Sequence, residues 1–230
     1  MITAHRRNLF HHDSCAPTPE QKDFITYWRP ELEKLSTGQI LCWAAEMFPS
    51  KLALVTSCGI GGGVLISMIG QIKLDIPVVN PGGGEPLGET RRLYDRLKKM
   101  FDVHIESGSS KIFRSEASLC CGGKRYGALR RAAEHFDLWI SEARREHYPN
   151  ECKRSVLDWD DRFGLLRISP LIRWTGESLR NKALKESIPF DELSDLDYFD
   201  DDCYACLMPD RYDRTNEKTI GAGTTCCCKS

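Results

Sequence analysis

Residues 52–69 read Leu-Ala-Leu-Val-Thr-Ser-Cys-Gly-Ile-Gly-Gly-Gly-Val-Leu-Ile-Ser-Met-Ile. The apolar run Leu52–Val55 has the length of a buried strand, and the run Val64–Ile69 is typical of a helix. The segment between them, Thr56–Gly63, combines hydroxyl side chains with glycines. A strand, a glycine-rich turn and a helix often bind phosphate, because glycines let backbone N–H groups approach an anion at the helix N-terminus. The Walker and dinucleotide signatures are absent, so a flexible loop stays an alternative for this stretch alone.

Further strands and helices alternate on both sides of this stretch. Upstream, Ser36-Thr37-Gly38-Gln39 has the spacing of a capping box, and Pro49 ends the helix that follows. Downstream, apolar runs predict strands at Ile76–Val79, Val103–Ile105, Leu138–Ile140 and Leu165–Ile168, with helices at Glu89–Met100 and Gly127–Glu134. This alternation predicts an α/β fold with a doubly wound, mostly parallel sheet. Ligands of such sheets bind at the C-terminal ends of the strands.

Composition and charge indicate an ordinary globular protein. The chain has 230 residues, 41% hydrophobic and 28% charged, which suits one domain with appendages. We expect an N-terminal appendage over residues 1–34, a main domain over 35–208 and a flexible tail over 209–230. The net charge of −1 gives no reason to expect nucleic acid or a membrane as a partner, and no apolar run reaches membrane-spanning length.

The cysteines form pairs and a terminal run. Eleven cysteines arranged in this way do not resemble a disulfide framework, so we expect a reducing, cytoplasmic setting. Cys120-Cys121 and the Cys203-x-x-Cys206 pair offer four thiolates for a metal or a cluster. Adjacent side chains point apart, so the first pair suits two iron atoms of one cluster better than one zinc ion. Buried apolar cysteines and a vicinal disulfide remain alternatives.

Six segments, in order along the chain, carry a family resemblance. They are Thr56-Ser57-Cys58-Gly59-Ile60, Pro86-Leu87-Gly88-Glu89-Thr90, Cys120-Cys121 with Leu129-Arg130-Arg131-Ala132, Trp139-Ile140 with Arg144-Arg145, Ile168-Ser169-Pro170-Leu171 with Trp174, and Cys203-x-x-Cys206. Together they resemble the adenylyl-sulfate (APS) reductase branch of the phosphosulfate reductase family, enzymes of assimilatory sulfate reduction. Because the matches are collinear, they are more specific than any single motif.

The resemblance implies a fold, a cofactor and partners. It implies an adenine-nucleotide alpha-hydrolase-like (PP-loop) fold, a homo-oligomer, and thioredoxin as the reductant. It also implies a 4Fe-4S cluster held by Cys120, Cys121, Cys203 and Cys206. Reductases of 3′-phosphoadenylyl sulfate (PAPS) generally lack these cysteine pairs, so APS is favoured as the substrate and AMP as the product. Substrate contacts are expected at Ser57, Gly59, Lys124, Arg125, Arg144 and Arg145.

The reaction that the resemblance implies requires a reactive thiolate. The thiolate attacks the sulfate sulfur of APS, AMP leaves, and a second dithiol releases sulfite from the thiosulfonate on the enzyme. The family carries this cysteine in a C-terminal Glu-Cys-Gly-Leu-His, where this chain ends Cys226-Cys227-Cys228-Lys229-Ser230. Counted from the end, Cys227 takes that position, and Cys226 and Cys228 are neighbours that could replace it. Incidental cysteines in a disordered tail are the alternative.

Several positions depart from the family pattern. Asn80-Pro81-Gly82-Gly83-Gly84 replaces Asp-Thr-Gly after the second strand, and Glu142 replaces the glycine before the two arginines. Residues 195–202 contain five aspartates, whose charge would repel both a thiolate-ligated cluster and an anionic substrate. Other functions therefore stay open: a catalytically silent relative that binds a cluster or zinc structurally, a PAPS reductase and, in last place, a nucleotide-activating enzyme of the related pyrophosphatase-loop type.

Overall fold

A computed structural model describes residues 16–56, 58–80, 88–106, 129–147 and 155–190 of the chain. The helices in these residues are α1 (Pro19–Leu32), α2 (Thr37–Met47), α3 (Ile60–Ile72), α4 (Gly88–Phe101) and α5 (Gly176–Lys185). The strands are β1 (Leu52–Val55), β2 (Val78–Val79), β3 (Ile105–Glu106), β4 (Leu138–Ile140), β5 (Leu157–Asp160) and β6 (Leu165–Ile168). A 3-10 turn spans Arg145–His147, and residues 129–133 are helical. Within these residues, no helix is both long and apolar enough to cross a membrane.

The strands form one sheet in the order β3-β2-β1-β4-β6-β5. All neighbouring pairs are parallel except β5 and β6, which are antiparallel. The chain therefore runs outward from β1 to β3 and then returns to place β4 on the other side of β1. Ligands of open α/β sheets bind where the strand order reverses in this way, at the carboxyl ends of the two central strands. We call this junction between β1 and β4 the switch point.

Both faces of the sheet are covered. In β1, Leu52 and Leu54 belong to the larger core with the long helices, whereas Ala53 belongs to a smaller core. The smaller core also contains Ala132 and Phe136, from the helical residues before β4 and the segment that follows them. Successive residues of a strand face opposite sides of a sheet, so this division shows that the sheet is covered on both faces. The predicted doubly wound fold is thereby confirmed.

The N-terminal ends of the first two helices follow directly from their sequences. The predicted capping box of α2 is present: the Ser36 side chain accepts from the Gln39 backbone, and the Gln39 side chain accepts from the Ser36 backbone. Thr18 and Gln21 make the same arrangement at α1. α2 ends at Met47, two residues before Pro49, as expected for a residue that cannot continue a helix.

α1 packs against the core although it lies in the segment that we expect to be an appendage. Ile25 and Leu32 are buried in the larger core. Arg29 ties the helix to β5, because its Nη2 lies 2.9 Å from Asp158 Oδ1 and its Nε donates to the Leu157 carbonyl at 3.1 Å. The division of the chain near residue 35 stays a prediction, but the contacts of α1 are those of a core helix.

The edge strand β5 was not predicted, although its sequence carries a signal. Leu157 and Trp159 alternate with aspartates, and Gly164 closes the turn to β6 with a φ of 69°. Such alternation before a glycine turn is typical of an antiparallel hairpin. The strands β1, β4 and β6 have the predicted bounds, whereas β2 is shorter than predicted and β3 lies slightly further along the chain.

Candidate functional site

The switch point brings together the segments that follow β1 and β4. Leu54 of β1 is paired in register with Ile140 of β4, so Thr56 and Glu142 emerge at the same edge of the sheet. The Thr56 hydroxyl donates to Glu142 Oε1 at 3.1 Å, although the two residues are 86 positions apart in the chain. This contact joins the segment before α3 to the segment that carries Arg144 and Arg145.

The segment between β1 and α3 is a tight connection. Thr56 Oγ1 also accepts a hydrogen bond from the Cys58 backbone N–H at 2.8 Å, and Cys58 has a φ of 63°, in the left-handed region. Gly59 is the N-cap residue of α3 and has no side chain to cap the first turn. The predicted contact residue Gly59 therefore lies at the positive end of a helix, where an anion is stabilised.

The helix α3 begins at Ile60, four residues before the predicted start. The prediction of a glycine-rich turn is therefore wrong for Gly61, Gly62 and Gly63, which lie in the first turn of the helix. These glycines are needed for close packing: a Cβ atom at Gly61 would lie 2.9 Å from Glu142 Oε2, and one at Gly62 would overlap the Thr56 hydroxyl. Glycine is normally unfavourable inside a helix, so this contact explains its use.

Glu142 is the residue of the site that sequence reasoning left without a role. Its carboxylate accepts from Thr56 and lies against Gly61, in the first turn of α3. A negative charge at this end of a helix is favourable, and in this structure the Glu142 carboxylate supplies it. The sequence showed Glu142 only as a departure from a family glycine, and its contact with α3 requires the tertiary structure.

Of the two cysteines among the described residues, Cys58 belongs to this segment, and its thiol is inert in this arrangement. The side chain is completely buried. Burial and, to a lesser extent, the negative charge of Glu142 raise the pKa of the Cys58 thiol far above its usual range. Because the thiolate is the nucleophilic form, Cys58 does not provide a reactive sulfur at neutral pH.

Arg144 lies beside the N-terminus of α5. Its side chain is 11% exposed, and its Nε lies 2.7 Å from Glu146 Oε1. The same carboxylate oxygen accepts from the backbone N–H of Gly176, the first residue of α5, at 2.7 Å. Glu146 thus stabilises both the guanidinium and the helix N-terminus.

Arg145 points towards α1. Its Nη2 lies 2.9 Å and 3.1 Å from the two carboxylate oxygens of Glu33, and its side chain is 45% exposed. Glu33 also accepts from the Val156 backbone N–H at 3.0 Å. Both arginines therefore follow β4 at the predicted edge of the sheet, and each is paired with a carboxylate of the chain.

The remaining predicted site residues lie outside the described residues. These are Ser57, Lys124, Arg125, the cluster cysteines Cys120, Cys121, Cys203 and Cys206, and the terminal cysteines Cys226, Cys227 and Cys228. The described ranges contain the free cysteines Cys42 and Cys58 and, within those ranges, no group of three or more His, Cys, Asp or Glu side chains that could hold a metal ion. The predicted cluster ligands and nucleophile stay predictions.

Comparison with known proteins places the chain in a family. Residues 51–209, which are more than half of the chain, match the phosphoadenosine phosphosulfate reductase domain. The chain therefore belongs to this family, and the resemblance deduced from its motifs is confirmed.

Named relatives and a solved structure agree with this assignment. An adenosine 5'-phosphosulfate reductase of Halalkalibacterium halodurans is 26% identical over 192 residues, which cover 77% of this chain and 83% of the relative. A protein of the same name from Geobacillus thermodenitrificans is 28% identical over 207 residues, covering 82% and 87%. The crystal structure of phosphoadenylyl-sulfate reductase from Candida auris, a phosphate complex, superposes with a TM-score of 0.58 at 21% identity over 80% of this chain and 94% of that chain. This likeness supports the fold.

Proposed function

We propose that the chain reduces adenylyl sulfate to sulfite and AMP, with thioredoxin as the reductant. The observation that carries the proposal is the switch point of a phosphosulfate reductase fold, where the N-terminus of α3 meets the segment with Arg144 and Arg145. A helix N-terminus and two guanidinium groups are suited to a phosphosulfate anion. The named relatives support sulfate reduction as the reaction class.

The proposed reaction has two steps that balance. In the first, a cysteine thiolate of the C-terminal tail attacks the sulfate sulfur of APS, an S–S bond forms, the S–O bond to AMP breaks, and AMP leaves as the anion. In the second, one thioredoxin thiol attacks the cysteine sulfur of the thiosulfonate, the S–S bond breaks and sulfite leaves. The second thioredoxin thiol then displaces the enzyme cysteine, which returns to the thiol while thioredoxin becomes a disulfide. Cys227 is the proposed nucleophile, with Cys226 and Cys228 as neighbours.

The burial of Cys58 supports a nucleophile in the tail. Among the described cysteines, Cys58 is adjacent to the site, yet it has no exposed surface and its thiol pKa is raised. A thiolate that attacks an anion needs nearby cations to lower its own pKa and to neutralise the transferred group. Arg144 and Arg145 are the proposed source of that charge, which requires them to exchange their carboxylate partners for substrate.

The proposed cofactor is a 4Fe-4S cluster held by the thiolates of Cys120, Cys121, Cys203 and Cys206. Four cysteine thiolates are the donor set that such clusters require. These four cysteines would hold the cluster, and its charge would act on the electrostatics of the substrate site. The presence of both cysteine pairs is also the reason to propose APS rather than PAPS as the substrate. A homo-oligomer in a reducing cytoplasm completes the proposal.

One structural observation favours a second candidate, a catalytically silent relative. The α3 N-terminus and both arginines already contact carboxylates of the chain, from Glu142, Glu146 and Glu33. If these contacts are permanent, the α3 N-terminus, Arg144 and Arg145 are not available to bind a substrate anion. The two candidates differ in whether the carboxylates can be displaced.

Anaerobic purification tests the cofactor. We expect a brown protein with about four iron and about four sulfide per chain, as thiolate ligation of this kind requires. A colourless protein with about one zinc per chain would remove the cluster and leave the structural metal site of the second candidate.

Mass spectrometry tests the reaction. The full chain and a form truncated before Cys226 are incubated with APS without thioredoxin, and the peptides are searched for a sulfonate adduct. We expect an adduct on Cys226, Cys227 or Cys228 in the full chain and none in the truncated chain. Sulfite formation that survives the truncation, or an adduct on Cys58, would contradict the proposed mechanism.

A further inference from the structure

Glu142 holds the position in which an anionic ligand would contact α3. Its carboxylate is 3.1 Å from the Thr56 hydroxyl, and its Oε2 would lie only 2.9 Å from a Cβ atom at Gly61. Thr56 precedes α3 and Gly61 lies in its first turn, and the N-cap residue of this helix, Gly59, makes no side-chain capping bond. The carboxylate therefore lies beside the N-terminal end of α3, where a negative charge is favourable.

Glu142 is held close to the end of β4, because it follows the last residue of this strand by only two positions. β4 ends at Ile140, which is paired with Leu54 of β1, and Glu142 follows two residues later at the switch point. Glycines at positions 61 and 62 leave the room that the Glu142 and Thr56 side chains occupy. The Glu142 carboxylate thus lies at the switch point, where folds of this class bind their ligands.

A substrate anion and this carboxylate cannot share the site without cost. Two negative charges within about 4 Å repel, and the repulsion is strong where water is excluded. An anionic group that binds at the N-terminus of α3 must therefore displace Glu142 and lose the contact between that carboxylate and the helix. The cost of this displacement reduces the affinity for every anion that uses the position.

We propose that Glu142 is an affinity- and specificity-determining residue that acts as an internal competitor for the phosphosulfate group. This inference rests on the proposed function, because it takes the α3 N-terminus as the site of the nucleotide anion. In a ligand that also contains adenosine, the binding free energy of the adenosine contact offsets the cost of displacing Glu142. Small free anions have no such contact, so they bind weakly. The residue would thereby keep inorganic phosphate and sulfate out of the pocket.

The test compares Glu142→Gln with the wild-type full chain by isothermal titration calorimetry, with AMP and inorganic phosphate as probes. The amide keeps the size of the side chain and its ability to accept from Thr56, but it removes the charge. We expect binding of both probes to tighten at least fivefold, which corresponds to about 1 kcal/mol. The relative gain should be greater for phosphate than for AMP, since phosphate has no adenosine contacts.

Glu134→Gln is the matched control, because Glu134 is an exposed carboxylate and the change in net charge is identical. Its affinity for either probe should stay within twofold of wild type. A second readout is thermal unfolding: without ligand, Glu142→Gln should unfold at a lower temperature, because α3 loses its anion, and phosphate should raise its unfolding temperature more than that of wild type. A substitution that only destabilises the fold would lower the unfolding temperature without making it more sensitive to phosphate.

Different results would contradict the role of Glu142 and the proposed reductase activity. Equal affinities of wild type and folded Glu142→Gln would overturn the inference, as would an equal gain in Glu134→Gln. If wild type still binds AMP and forms sulfite, the proposed function stands in either case. Tighter phosphate binding in Glu142→Gln with no AMP binding in any form would support the inference and overturn the nucleotide function. No binding of either probe in any form would overturn both.

Discussion

Two carboxylates of this protein lie among polar partners at different places in the sheet. Asp160, in the hairpin of β5 and β6, is bonded to two guanidinium groups: Arg162 Nη2 is 2.8 Å and Arg167 Nη1 is 3.3 Å from its Oδ2. Glu142, at the switch point, accepts from a neutral hydroxyl and lies against a helix N-terminus. The Asp160 cluster lies at the edge of the sheet formed by β5, whereas Glu142 lies at the switch point, where folds of this class bind ligands.

The difference lies in what could replace each carboxylate. The Asp160 side chain is 3% exposed and is paired with two arginines of its own hairpin, so it is poorly accessible to a ligand. Glu142 is only partly buried, and it lies at a helix N-terminus, which favours anions. We infer that a pair buried within one hairpin serves stability, whereas a carboxylate at the switch point can be exchanged for a ligand.

The largest expected effect concerns the hairpin. Replacing Asp160 with Asn leaves two guanidinium groups without their shared counter-charge, and breaking a buried ion pair in this way costs about 3 kcal/mol. Urea unfolding at neutral pH should show this loss. Asp161→Asn is the control, because Asp161 is exposed and should change the free energy of unfolding by less than about 0.5 kcal/mol. A loss below about 1 kcal/mol for Asp160→Asn would show that the hairpin cluster is not a stability element.

The next largest loss of stability is expected where Thr56 packs against the first turn of α3. In Gly62→Ala, the new methyl group would overlap the Thr56 hydroxyl, and overpacking outweighs the higher helix propensity of alanine. We expect a loss of about 2 kcal/mol in the free energy of unfolding. Gly88→Ala at the start of α4 is the control, since a Cβ atom there would lie no closer than 3.9 Å to the Arg92 guanidinium. Equal stabilities of the two variants would mean that the Thr56–Glu142 contact can relax freely.

A smaller effect distinguishes the two arginines of the site. Arg144→Ala should weaken AMP binding about tenfold, or about 1.4 kcal/mol, because this less exposed guanidinium would make a charge-assisted bond to the nucleotide. Arg145→Ala should weaken it less, since Arg145 is bonded to both oxygens of Glu33 and points towards α1. Calorimetry measures both, with Lys185→Ala in the exposed last turn of α5 as the control. If neither arginine variant loses more than about threefold, the assignment of these residues to the substrate site is wrong.

The smallest expected effect is the pH dependence of the hairpin. Burial alone would raise the pKa of Asp160, but hydrogen bonds and charge from Arg162, together with the charge of Arg167, outweigh it and lower this pKa. A carboxyl whose pKa is lower in the folded state stabilises the fold above its unfolded pKa, near 4, and loses this contribution as the pH falls through the folded value. Wild type should therefore lose stability on acidification below about pH 4, and Asp160→Asn should lose less. Parallel urea-unfolding curves for the two proteins across this range would contradict the assignment.

Local patterns in the sequence predicted most of the architecture, although not strand β5 or the start of α3. The run Leu52–Val55, the capping box at Ser36 and the apolar strand Leu138–Ile140 each depend on neighbouring residues, and each has the predicted bounds or cap. The predicted start of α3 at Val64 was wrong, because the conformational freedom of the glycines before Val64 is typical of a turn. In the structure they are helical, and glycine is required at positions 61 and 62 because Glu142 and Thr56 occupy the space that a side chain would take.

The sequence alone thus determined the family, the doubly wound sheet and the edge at which Gly59 and the two arginines lie, because hydrophobic periodicity and the order of motifs are both visible along the chain. The partners of those residues depended on the tertiary structure. Thr56 and Glu142 are 86 residues apart, and Arg145 and Glu33 are 112 apart. Such pairs meet only when β4 adds to β1 and α1 packs on the sheet, and no local pattern encodes which distant carboxylate a hydroxyl or a guanidinium will reach.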